Sequence, residues 1–224
     1  MGYMWPRDAE TLVEAQRGLA AAEPRLWSPP ADPRVGACWV CFPRGLTGRG
    51  AEGDPAWVAA VVIRGSRMLA RHVIRGEADA PYTPGLLALR IGRLLEDGVR
   101  GLDDPPDVLL VDATGRDHPL RCGLAVHLGA RLDLPTVGVT HRPLQAEGGW
   151  PDDRAGAMSP LRIRGEVVGC WLRTREGTRP LAVHPGWRVG LDDAVAVVTG
   201  CLSGRRTPEP LRQARRVARR ARRS

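Results

Sequence analysis

Apolar residues along this chain gather in short runs, some of strand length and some at helical spacing, broken by Gly, Pro and charged residues. Residues 8–21 carry apolar positions at helical spacing behind Asp8, whose side chain suits an N-cap, and a Pro-rich connector follows over 24–33. Three apolar runs come next, 35–42, 57–63 and 67–74, separated by a Gly-rich stretch over 44–55 and by Arg64-Gly65-Ser66. Runs of this length between turn-forming residues predict an antiparallel meander.

From residue 85 the rhythm changes. Residues 85–95 place Leu86, Leu87, Leu94 and Leu95 at helical spacing, 108–111 is a continuous apolar run behind Pro105-Pro106, 118–130 is helical, and 136–139 is another strand. Such alternation implies parallel strands joined by helical crossovers. Two more strands are expected over 166–172 and 180–183, then helices over 191–201 and 208–220. The expected fold class is α/β, with a mixed sheet (antiparallel meander followed by parallel strands) flanked by helices.

At 224 residues and 43% hydrophobic content the chain can bury one sizeable core. The expected division is an N-terminal helix and connector (1–33), one α/β domain (34–204), and an Arg-rich C-terminal helix packed on that domain (205–224). No apolar run approaches the roughly 18–20 residues of a membrane span, and residues 1–6 lack a signal-peptide core and a myristoylation signal, so a cytoplasmic protein without membrane contact is expected. Five irregularly spaced cysteines (Cys38, Cys41, Cys122, Cys170, Cys201) argue against a disulfide framework. Cys38 and Cys41 lie three apart on a predicted strand and point to opposite faces, which argues against a redox pair or zinc half-site.

The net charge of +8 is local. Residues 205–224 hold nine arginines against Glu209, a net +8, leaving 24 basic and 24 acidic residues elsewhere. All 33 basic residues are Arg, so their abundance is weak evidence for phosphate binding.

Parallel strands deliver functional groups at their C-terminal ends. Asp112 sits at such an end, with Gly115, His118 and Pro119 in the loop beyond. Local capping by Asp112 and His118 is the alternative reading of the same residues. The chain has no Gly-rich phosphate loop and no GxSxG nucleophile elbow.

Several segments resemble one family. Residues 81–90 (PYTPGLLALR) are similar to PYIPGFLAFRE of the endonuclease V family, 111–119 (VDATGRDHP) to its VDGxGxxHPR, 123–129 (GLAVHLG) to GLASHLG, and 134–139 (LPTVGV) to LPTIGVA. Segments SPL at 159–161, LRT at 172–174, PGWRV at 185–189 and PEP at 208–210 follow in the family's order, so the resemblance runs from about residue 35 to 215. It implies a ribonuclease H-like fold and a divalent metal, usually magnesium, that serves to cleave a strand near deoxyinosine. Clustered carboxylates would bind such a cation, which activates water and stabilises charge on phosphate.

This chain departs from that pattern at the metal. The metal-binding Asp of the family's first-strand motif corresponds to Trp39, the Glu ending its PYIPGFLAFRE segment to Ile91, and its late His or Asp to Arg215, so of these positions Asp112 alone keeps its carboxylate. The Lys of the family's GVAK segment falls at His141, and the His of its GHR segment at Trp187. One carboxylate beside a guanidinium gives a divalent cation little to bind.

The leading expectation is therefore a protein without metal or cofactor, whose old site has become a small-molecule pocket doing acid/base chemistry. Asp112, His141 and His118 would move protons, while Trp39, Ile91, Tyr82, Trp187 and Arg215 would face the substrate. His72, His127 and His184 read as hydrogen-bonded loop residues. The alternative is a non-cleaving nucleic-acid binder: Tyr82, between Pro81 and Pro84, resembles a family wedge that separates strands, and the Arg-rich final helix could contact phosphates. Retained metal-dependent cleavage is the third reading.

Overall fold

The computed structural model describes residues 4–223. Residues 1–3, part of the stretch searched for a targeting signal, and Ser224 lie outside them. In chain order the elements are α1 (Ala9–Ala21), β1 (Val35–Cys41), β2 (Pro55–Arg64), β3 (Arg67–Glu77), α2 (Leu87–Arg100), β4 (Val108–Val111), α3 (Leu124–Leu132), β5 (Thr136–Thr140), β6 (Met158–Ile163), β7 (Glu166–Leu172), β8 (Leu181–Pro185), α4 (Leu191–Gly200) and α5 (Glu209–Ala221).

The eight strands form one sheet in the order β3-β2-β1-β4-β5-β8-β7-β6. The first three make the expected antiparallel meander, and β4 and β5 add in parallel to β1, in registers that set Cys38 beside Val111 and Val111 beside Gly138. Beyond β5 the sheet turns antiparallel again through β8, β7 and β6. The four residues of β4 are buried on both faces, as a central parallel strand requires.

Two apolar layers sandwich this sheet. On one face α2 and α3 cover Val58, Val62, Leu109 and Cys38, with Leu12 of α1 joining them. On the other, α4 and α5 cover Leu110, Val137, Val183 and Val61. Helix α5 approaches closely because Ala214 and Ala218, both fully buried, sit where larger side chains would hold it off, and Leu211 anchors its first turns. Its five arginines lie on the other positions, with Gln213 and Val217 among them, an arrangement with helical period.

Several local expectations change. The helix expected over 118–130 begins only at Leu124, because the preceding loop turns through Arg121 at φ 57 and spends His118 and Asp117 on tertiary hydrogen bonds. Strand β6 was legible only as a short motif; as an edge strand it has Leu161 as its one buried residue, between exposed neighbours, and tolerates Pro160. The histidines expected in loops lie within elements: His72 in β3, His127 in α3 and His184 in β8. His184 is fully buried with Nε2 3.0 Å from Thr140 Oγ1, and His127 stacks on Trp5 at 4.6 Å. Cys38 and Cys41 do fall in cores on opposite faces, and all five cysteines are free. Among the described residues no helix is long and apolar enough to cross a membrane.

Candidate functional site

The C-terminal ends of β1, β4 and β5 meet at one edge of the sheet, and the chain leaves β4 there through Asp112. The turn after Asp112 packs directly on the neighbouring strand: a Cβ at Gly138 would lie 2.4 Å from Ala113 O, and one at Gly115 2.1 Å from Pro185 O. Glycine at these two positions is what allows the loop to fold back against the sheet. Asp112 keeps contact with solvent, yet the protein around it removes enough water to push its carboxyl up to about 6, against the opposing pull of the Arg215 charge.

Opposite this loop stands the turn that leads into α2. Leu86 N–H donates to Thr83 O at 3.0 Å, with Pro84 and Gly85 at the turn's centre and Gly85 at φ 79, the geometry of a type II turn. His118 bridges the two segments, Nε2 to Gly85 O at 2.8 Å. Gln16 of α1 reinforces the bridge, donating from Nε2 to Gly85 O at 3.2 Å and to Cys122 O at 3.1 Å. A third wall is the loop after β5, pinned by the buried carboxylate of Asp117, which accepts from Gln145 N–H at 2.8 Å and Ala146 N–H at 2.7 Å.

These walls enclose a cavity of about 290 Å³, lined among others by Tyr82, Leu87, Asp112, Thr114, His118 and Leu144. Tyr82 stands at its lip, 42% exposed. Burial pulls the His118 pKa below its ordinary value, outweighing the opposite pull of its Gly85 hydrogen bond and of the Asp117 charge, so the ring is neutral near neutrality.

Of the eight residues singled out from the sequence, the fold brings Tyr82, Asp112 and His118 around this cavity. Trp39 and Arg215 form a pair beside it. Trp39 follows Cys38, the register partner of Val111, and so lies alongside Asp112; the Arg215 guanidinium from α5 sits 5.3 Å from the centre of the Trp39 ring. His141, at the surface after β5, has its pKa lowered by partial desolvation and then by the Arg206 and Arg215 charges. Ile91, in the first turns of α2, is buried in the core and does not line the cavity. Trp187 is at the opposite end of the sheet, its N–H donating to Thr136 Oγ1 at 2.8 Å where β5 begins.

Two contributors were not legible. Gln16 lies about a hundred residues before the loop it supports, and Asp117 was given no role of its own. A polar residue on the inward face of the amphipathic α1 was the signal for Gln16. Arg90 was missed similarly: buried in α2, it donates to Ala51 O and Ala80 O, pairs with Asp54 at 2.7 Å and so fastens the Gly-rich segment beneath the Tyr82 turn.

The sequence profile of the endonuclease V family matches residues 46–216. The chain belongs to the endonuclease V family. The endonuclease V of Gloeobacter violaceus is 38% identical over 220 residues, covering 95% of this chain and 85% of that protein. That of Methanopyrus kandleri is 43% identical over 171 residues, covering 75% and 74%. The crystal structure of the Streptomyces avermitilis endonuclease V superposes with a TM-score of 0.86 at 32% identity, over 98% of this chain and 95% of that one. The mixed α/β sheet is thus the ribonuclease H-like fold of endonuclease V. A Ciona intestinalis endonuclease V, 21% identical and sharing the fold with a TM-score of 0.79 over 96% of this chain and 97% of that one, was solved in complex with a DNA containing an inosine.

The family overturns the expectation of a small-molecule acid/base enzyme. Relatives of 38–43% identity named endonuclease V align over three quarters or more of the chain. The geometry supplies the physical reason: the expected apolar walls do not converge, since Ile91 is core and Trp187 lies at the far end of the sheet.

A divalent metal, which the family implies, does not fit the residues present. Among the described residues no three His, Cys, Asp or Glu side chains form a group that could hold a metal ion. Beside Asp112 the neighbouring strand offers Cys38, whose thiol is pushed up to about 12 by burial and then by Asp112, and Trp39. A hard cation needs several oxygen ligands, and here it would meet one carboxylate and a guanidinium.

Proposed function

We propose that this member of the endonuclease V family binds a nucleic-acid strand across the C-terminal edge of β1, β4 and β5, holds one unstacked base in the cavity beside Tyr82, and leaves the strand uncut. The cavity carries the reading. At about 290 Å³ it stands at the small end of ligand pockets, the size for one planar base rather than an extended ligand. Proteins that act on a single base extract it from the stack into such a pocket, and an exposed aromatic at the lip offers the displaced strand a stacking surface. The relatives' name supports a nucleic acid as the ligand, and the family resemblance points to deoxyinosine as the base.

The walls suit that role. His118, held neutral between two backbone groups, and Gln16 fix the turn that forms one side, and Asp117 fixes the loop that forms another. A rigid cavity selects a base by shape and by which polar edges it can satisfy. With one carboxylate and a guanidinium where the family's cation would sit, no cleavage step follows from these residues.

Equilibrium binding of labelled single strands with and without one deoxyinosine tests the reading. The expected result is tighter binding of the inosine strand, with Tyr82→Ala losing roughly tenfold, the worth of one stacked base. Equal affinity for the two strands would remove the base pocket from the account. Metal-dependent cleavage is the second reading, favoured by the 38–43% identity to relatives named for it. A cut product appearing with magnesium in the same reactions would establish it.

A further inference from the structure

We propose that Arg215, and not a metal ion, grips a phosphate of the bound strand, its guanidinium taking the place beside Asp112 that a metal would need. The inference rests on the strand-binding reading above. The replacements at the old metal positions are not independent of one another. Arg215 comes from α5, where its neighbour Ala214 and the later Ala218 are fully buried, so the backbone that carries it is fixed against the sheet. Trp39 supplies a platform for the guanidinium at 5.3 Å, which orients its planar fork at little cost in side-chain freedom. The buried Nε of Arg215 has no hydrogen-bond partner among the described residues.

The surroundings add to the cationic character. Arg206, braced by its Nε and Nη2 on Arg179 O at 2.6 Å and Pro180 O at 3.1 Å, acts with Arg215 on His141 at the same edge of the sheet. Against these stands the single carboxylate of Asp112. In a carboxylate cluster, phosphate binds only once a cation has been recruited; here the cation is part of the chain. A planar guanidinium offers parallel N–H donors to two phosphate oxygens. It cannot do the rest of a metal's work, because a guanidinium has only N–H donors and so neither binds water as a ligand nor generates hydroxide. The exchange keeps phosphate affinity and removes the nucleophile.

The test uses the full chain and an inosine-containing oligonucleotide, with fluorescence anisotropy in excess EDTA and in magnesium. The expected result is equal affinity in both, about tenfold weaker binding by Arg215→Gln with the slope of log affinity against log salt falling by roughly 0.7, and partial rescue by Arg215→Lys. Arg216→Gln, one position on and exposed on α5, changes affinity less and controls for general charge. Thermal melting of each variant reports folding. Inorganic phosphate titrated in EDTA, followed at the side-chain Nε–H resonance of Arg215 by NMR, separates this inference from the strand-binding reading: a shift there supports the grip even where no oligonucleotide binds. Affinity that requires magnesium, Arg215→Gln binding like the parent, or an unmoved Arg215 resonance would each overturn it.

Discussion

His118 Nε2 lies 2.8 Å from the carbonyl oxygen of Gly85, while the N–H of Leu120 donates to Nδ1 of the same ring at 3.1 Å. With Nδ1 accepting, the proton sits on Nε2 and is donated to Gly85. His118 therefore ties the loop after β4 to the turn before α2, and both ring nitrogens are spent on backbone. His118→Ala should cost about 1–3 kcal/mol in denaturant unfolding, and because a cavity wall loosens, the inosine preference should fall with it. Unchanged stability with lost preference would instead point to direct contact with the base.

Burial holds His127 and His184 down at about 4, and lowers His118 in the same direction. A histidine whose pKa in the fold lies below its unfolded value near 6.5 takes up protons on unfolding. Stability is then undiminished above pH 6.5 and falls as pH drops from 6.5 towards 4. Displacement from 6.5 to about 4 is worth on the order of 3 kcal/mol for each fully buried ring, so acid should unfold the protein within this window. Urea midpoints that stay flat between pH 7 and 4.5 would contradict the assignment.

Asp112 works in the opposite sense. Its carboxyl, raised to about 6, holds a proton more tightly folded than unfolded, so its ionisation weakens the fold as pH rises from about 4 to 6. Asp112→Asn should stabilise the protein above pH 6, by no more than about 1 kcal/mol given the solvent contact that screens this side chain. The gain should vanish below pH 4. The same variant should bind oligonucleotide more tightly at pH 7.5, since it removes the negative charge beside Arg215.

Removing α5 to test its arginines would remove part of the core as well, because Leu211, Ala214 and Ala218 are buried against the sheet. Truncation after Gly204 should abolish cooperative unfolding. Replacing Arg216 and Arg220, both exposed, with Gln should leave the melting temperature within a few degrees. A folded truncated chain would show that the helix docks as an accessory.

The strands and most helices were legible because β1 to β5 and α5 follow simple apolar periods, and because motifs such as PYTPG and VDATGRDHP fix the register of the loops between them. The end of the sheet was harder: β6 has a proline in its middle and buries only Leu161, and nothing local says that β8 runs antiparallel to β5. At the site, the sequence identified Tyr82, Asp112 and His118, but an ordered string of residues does not give depth. Ile91 and Trp187 share apolar character with pocket walls, and only packing shows that one is core and the other lies across the sheet. Long-range polar ties such as Gln16 to Gly85 and Asp117 to the 144–146 backbone depend on tertiary approach, so no spacing rule reveals them.

The most direct measurement incubates the full protein with a labelled deoxyinosine strand in magnesium or manganese, and follows the same samples by anisotropy and by denaturing gel. Saturable binding is expected, tighter than for the strand without inosine, with the strand recovered intact at every time point. A product that accumulates with metal and disappears in EDTA, or the absence of binding at low salt, would contradict it.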